Sequence, residues 1–96
     1  MPILTLSQFR ELTRLRLVVE GFAVEEAARC ATPEALERLA AHEAAFREAA
    51  IASPPQAAAA VAANRDFHFA VYEAARMPTL VEMIERLWLK AGPILN

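Results

Sequence analysis

Apolar and polar positions alternate with a helical period along nearly the whole chain. Four stretches carry that period. The first is predicted over residues 8–30, after an apolar lead-in, with Ser7 as its N-cap. Leu12, Leu15, Val19, Ala23 and Ala27 mark one apolar stripe on it. Arg16 falls inside this stripe, and Glu20, one turn later, is placed to pair with it. Leu17, Val18 and Phe22 lie off the stripe, so this helix is expected to bury a second face, in this chain or in a partner.

The second helix is predicted over residues 33–51. Thr32 is its N-cap, Pro33 suits the first turn, and Glu34 faces the positive end of the dipole. Its apolar stripe is Leu36, Leu39, Phe46 and Ala50, with His42 beside it as a partly exposed surface histidine. Ser53, Pro54 and Pro55 break the chain, and a third helix is expected over residues 55–76, with Ser53 as N-cap and Pro54 at N1. Its alanine tract, residues 57–60, suggests a close approach to a neighbouring helix. Arg65, Asp66, Glu73 and Arg76 form one polar stripe about 100° wide, and Phe69 falls within it. Phe67, Val71, Ala74 and Ala75 form the opposite side, with Asn64 near its centre and His68 on its flank. Met77 and Pro78 end this helix. A fourth runs over residues 79–90; Leu80, Val81, Met83, Ile84, Leu87, Trp88 and Ala91 make it too apolar to stand alone. Gly92 and Pro93 interrupt it, and the apolar pair Ile94 and Leu95 just before Asn96 suggests a missing partner surface or a cut chain.

The predicted fold class is therefore all-α, an antiparallel bundle of about four helices forming one domain over residues 1–96. Composition supports this: two glycines, few β-branched residues and an excess of alanine, leucine, glutamate and arginine leave little strand material. A net charge of −2, with no basic arm or stripe, gives this segment no means of gripping nucleic acid. The single cysteine, Cys30, excludes an internal disulfide and fits a reducing cytoplasm. No apolar run approaches the roughly 20 residues of a membrane span, and no secretion signal opens the chain. Nucleophile and base do not come together locally, and there is no glycine-rich phosphate loop and no CxxC, so enzyme chemistry is poorly supported.

Arg16, Asn64 and His68 are polar side chains on apolar faces, where each needs a partner. Asn64 and His68, four residues apart, form a usable metal-ligand pair. A core histidine bonded to a backbone carbonyl is the alternative. Arg16 has the fork geometry to clamp a carboxylate, or to serve only as a structural ion pair with Glu20.

These residues carry a resemblance. The run from Glu11 to Glu20 is similar to the E-L-x-x-x-R-x-x-x-E opening of the FCD domain, the effector-binding domain of FadR-like regulators in the GntR family. Ala28 to Leu36 resembles its A-x-x-A-T-x-x-x-L link. Asn64, Phe67, His68 and Ala74–Ala75 resemble its [D/N]-x-x-F-H signature, and Met77 to Leu80 matches the place where the family reads G-N-P-x-L. The resemblance implies a helical bundle that senses a small organic acid. It implies a divalent metal, zinc or nickel, with Asn64 and His68 as the first two ligands and two histidines on later helices. It places Arg16 by the effector's carboxylate. Asn64 stands where aspartate is commoner, which makes a neutral, weaker ligand, and Arg76–Met77 replaces Gly-Asn. The later histidines and the preceding winged helix-turn-helix have no counterpart in these 96 residues, so at most half a metal site and no DNA reader are expected here. The expected function is the ligand-sensing, homodimerising module of a cytoplasmic transcription regulator, reaching DNA only through that winged helix. The alternative is a ligand-free helical interaction module.

Overall fold

The computed structural model describes residues 4–92, and the expectations for the first three residues and for Pro93 to Asn96 lie outside them. Four helices form: α1 (Leu6–Cys30), α2 (Pro33–Ile51), α3 (Ala57–Ala74) and α4 (Pro78–Ala91). The described residues contain no strand, in keeping with the all-α expectation.

Local chemistry sets most of the boundaries. Thr5, not Ser7, caps α1, because Thr5 and Gln8 form a reciprocal capping box. The Gln8 amide donates to Thr5 Oγ1 at 3.1 Å, and the Thr5 amide donates to Gln8 Oε1 at 2.9 Å. Thr32 caps α2 as expected, accepting from the Ala35 amide at 3.1 Å. α3 starts at Ala57 rather than at the prolines. Pro55 pushes Pro54 away from the α region, so Pro54 cannot open a helix. The turn instead closes back on α2, with the Gln56 amide donating to the Ala49 carbonyl at 3.0 Å. Pro78 occupies the first turn of α4, and Gly92, at φ 75°, ends it in a conformation that glycine adopts without cost.

Helix α3 is the hub. It packs along α2 and also touches α1 and α4, while α1 packs on α4. Alanines make the close contacts: Ala23 and Ala27 of α1, Ala35 of α2, Ala74 and Ala75 of α3. Bulk comes from Tyr72, Leu80, Ile84 and Trp88, and Ile84 is fully buried. On α4 the buried positions Leu80, Ile84, Trp88 and Ala91 follow one helical face.

Several burial expectations change. On α2 the buried residues are Ala35 and Ala49, and Leu36, Phe46 and Ala50 of the expected stripe are exposed. Small side chains let α2 lie close to α3, and the larger ones are displaced from that narrow seam. Ala57 to Ala59 are exposed as well, so the close approach involves Ala63 rather than the start of the tract. Leu15 is exposed, unlike the rest of its stripe. Phe69 falls within the polar stripe by its position in the sequence, yet it packs against the core, edge-on to Trp88 with ring centres 5.0 Å apart. Three helices contact α3, so its solvent face is narrower than its polar pattern. Arg65, Asp66, Glu73 and Arg76 are exposed as expected.

The described part is a slab of 38 × 37 × 17 Å with a radius of gyration of 14.7 Å. A compact domain of 100 residues has a value of about 13 Å. A flat shape buries few residues on both sides, which is why so much apolar surface stays open.

Candidate functional site

One carboxylate organises the junction of α1, α3 and α4. Glu20 accepts from Arg16 Nε at 2.7 Å and from Trp88 Nε1 at 3.2 Å on one oxygen, and from the Tyr72 hydroxyl at 2.6 Å on the other. Arg16 and Glu20 sit one turn apart on α1, Tyr72 is near the end of α3, and Trp88 is near the end of α4. A single side chain thereby ties three helices together. The Arg16 and Glu20 side chains keep only 19% and 17% of their exposure, so this pair is shielded more than a surface ion pair. The expected pairing of Arg16 with Glu20 is observed, and it has two further members.

Aromatic rings enclose the pair. The Arg16 guanidinium carbon lies 4.8 Å from the Trp88 ring centre, a cation–π stack. His68 packs near the same indole, 5.8 Å between ring centres, and near Tyr72 at 6.3 Å. On the far side Arg65 covers Phe69 at 4.7 Å. Burial, the hydrogen bond to Glu20 and the charge of Glu20 push the Tyr72 hydroxyl well above the ordinary tyrosine pKa, with Arg16 opposing weakly.

Beside this cluster runs an open groove of about 400 Å³ between α1 and α3. Arg16, Glu20, His68 and Tyr72 form its polar wall, with Thr13 nearby, and Leu17 and Val24 supply apolar surface. Of the three residues singled out from sequence, Arg16 and His68 therefore meet at one groove. Asn64, one turn before His68, is exposed and is not among the groove's lining residues. Periodicity gives its direction around the helix but not how far along α3 a neighbour reaches. No group of three His, Cys, Asp or Glu side chains converges among the described residues. Asn64 and His68 are thus two donors without a third of those types, and by themselves they do not make a metal sphere.

The sequence pattern of the FCD domain matches residues 11–96. The chain belongs to the FCD domain family. It is also 35% identical over 89 residues to the HTH-type transcriptional regulator McbR of Escherichia coli (strain K12), across 93% of this chain and 39% of that protein. It therefore spans about two fifths of that relative's length. No solved structure matches. The FCD domain is the one the resemblance pointed to, and the matched relative is a transcriptional regulator. Within this FCD domain, Arg16 of the opening motif and His68 of the signature come from opposite sides of one groove. Tyr72 and Trp88 were not identified as site residues from the sequence. The spacing from His68 to Tyr72 is one helical turn, which was a usable signal; the approach of Trp88 depends on how α4 docks. Arg76, where the family reads glycine, has φ 61°, the left-handed region that glycine favours.

Proposed function

We propose that this FCD domain is the effector-sensing part of a GntR-type transcription regulator, and that a small organic carboxylate binds in the α1–α3 groove on Arg16. The observation that carries this reading is the guanidinium at the polar wall of an open groove, braced by Glu20 and Trp88 and lined further by His68 and Tyr72. A braced guanidinium loses little freedom on gripping a carboxylate, which favours binding. A ligand in that groove touches α1 and α3 together, and Glu20 links both to α4. Binding therefore biases how three helices sit. In the whole regulator that bias is passed to DNA-binding domains of a cytoplasmic dimer. The name of the McbR relative, a helix-turn-helix regulator, supports this placement.

A divalent metal such as zinc or nickel forms a secondary part of the proposal. Of the two donors the signature offers, His68 lines the groove and Asn64 does not, so a metal there would need further ligands from elsewhere; if bound, it would supply a positive centre beside the acid. No step depends on it here.

The test is thermal denaturation of the chain with a panel of small organic acids. A ligand at one hundred times its Kd adds about 2.7 kcal/mol of stability, a rise of several degrees in Tm. Arg16→Gln should abolish the rise. An equal rise in the variant would remove Arg16 from the site.

The runner-up, a ligand-free interaction module, is favoured by one observation. Leu15, Val18 and Phe22 form an exposed apolar row on α1, with Val18 70% exposed. Under that reading melting depends on protein concentration and no small acid moves it.

A further inference from the structure

Glu20 uses both of its oxygens within the fold. One accepts from the Tyr72 hydroxyl, and the other accepts from Arg16 Nε and Trp88 Nε1. For Arg16 this has a geometric consequence. A guanidinium grips a carboxylate either side-on, through Nε and one terminal nitrogen, or end-on, through both terminal nitrogens. Glu20 occupies Nε at 2.7 Å, and the Trp88 indole stacks against the guanidinium. With Nε taken, side-on capture is blocked, and the end-on edge of the two terminal nitrogens is the one left for a ligand of the groove that Arg16 lines. The same arrangement leaves a negative charge beside whatever binds there. Arg16 is the groove's one cationic lining residue when His68 is neutral, so Arg16 and Glu20 bring the groove's formal charge to zero. Beyond them lie the apolar side chains of Leu17 and Val24.

We infer that Glu20 is a positioning and specificity-determining residue. It holds Arg16 for end-on capture of one carboxylate, and its charge makes the groove select monocarboxylates with an apolar tail over dicarboxylates of the same length. This rests on the effector reading above. A bound acid cancels its first charge against Arg16. A second carboxylate finds no further cation among the lining residues and meets the field of Glu20 in a partly shielded site. Two like charges a few ångströms apart there cost enough to change affinity by about tenfold.

The matched probes are propionate and malonate, each with three carbons and differing by one carboxylate. Their binding to the full chain is followed by NMR titration at pH 7.5 with a chelator present, so that metal plays no part. The wild-type chain should bind propionate more tightly than malonate; a preference for malonate overturns the proposal without recourse to any variant. In Glu20→Gln, which keeps the side-chain volume and one acceptor, the malonate-to-propionate affinity ratio should rise about tenfold. The Arg16 Nε–H resonance should also move upfield as its charged acceptor is lost. A merely structural role would change both affinities by one factor and leave the ratio fixed, which sinks the inference while the effector reading stands. Arg16→Gln should abolish binding of both probes. If it does not, or if neither probe binds the wild-type chain, the effector reading falls and this inference falls with it.

Discussion

Tyr72 shows how much one residue depends on its neighbours. It is the only tyrosine in the chain, and its hydroxyl donates to a carboxylate in a partly buried place. Its pKa is raised first by burial and then by Glu20. The sign follows from linkage. A raised native pKa means that the unfolded chain gives up the proton first. The stability from the protonated hydroxyl is thus complete below the unfolded value of about 10 and is lost as pH rises above it. Absorbance at 295 nm should therefore show no tyrosinate at pH 10.5 until the protein unfolds. Half-ionisation of a folded chain at that pH would contradict the Glu20 bond. His68 makes a second case at this scale. His68→Ala should lower both zinc or nickel content and Tm, the latter because its ring packs among Phe67, Tyr72 and Trp88. Metal content equal to wild type would take His68 out of any metal site. Arg16, Glu20 and His68 were legible because each breaks or answers an apolar stripe. Asn64 breaks one too, yet it faces solvent. A stripe shows where a side chain points, not whether anything lies there.

The helix ends are where element-scale rules apply best and where one rule is broken. Thr5 with Gln8, and Thr32 with the Ala35 amide, satisfy helix-end groups by short-range chemistry that needs no tertiary partner. The turn between α3 and α4 does not follow suit. Arg76 holds φ 61°, and its side chain is exposed. A side chain in that region costs about 1–2 kcal/mol, and glycine returns part of this through its freer unfolded chain. Arg76→Gly should thus stabilise the domain by about 0.5–1 kcal/mol net. Chemical denaturation checks it; a lower midpoint would mean that the Arg76 side chain contributes a contact worth more than the strain. At α2 the helix was legible and its buried face was not. Alanine and leucine both count as apolar, and only the spacing between α2 and α3 decides which of them fits the seam.

At the scale of the molecule, the flat shape leaves a helix with two lives. On α1, Ala23 and Ala27 are buried, while Leu15, Val18 and Phe22 flank them from one side and Leu17 and Val24 flank them from the other. The second flank is the wall of the groove. The first flank faces away from it and suits contact with a second protein surface. Val18→Glu should reduce self-association in sedimentation velocity and leave propionate binding intact. Loss of both together would mean that the two flanks are one site. None of the four helices described is long and apolar enough to cross a membrane, so these exposed rows are not a membrane span.

The sequence by itself determined four helices with ends to within two residues, the all-α class and the family. The helices and the class rest on periodicity, caps and prolines, which act within a few turns of one helix, and the family rests on the order of motifs read along the chain. It also placed Arg16 beside Glu20, because both belong to α1. Only the tertiary structure decided that Tyr72 and Trp88 complete that pair, that Phe69 joins the core, and that His68 meets Arg16 across a groove that Asn64 does not line. Those facts join residues as many as 68 positions apart. They depend on the angle and depth at which whole helices dock, and a pattern along one chain carries neither.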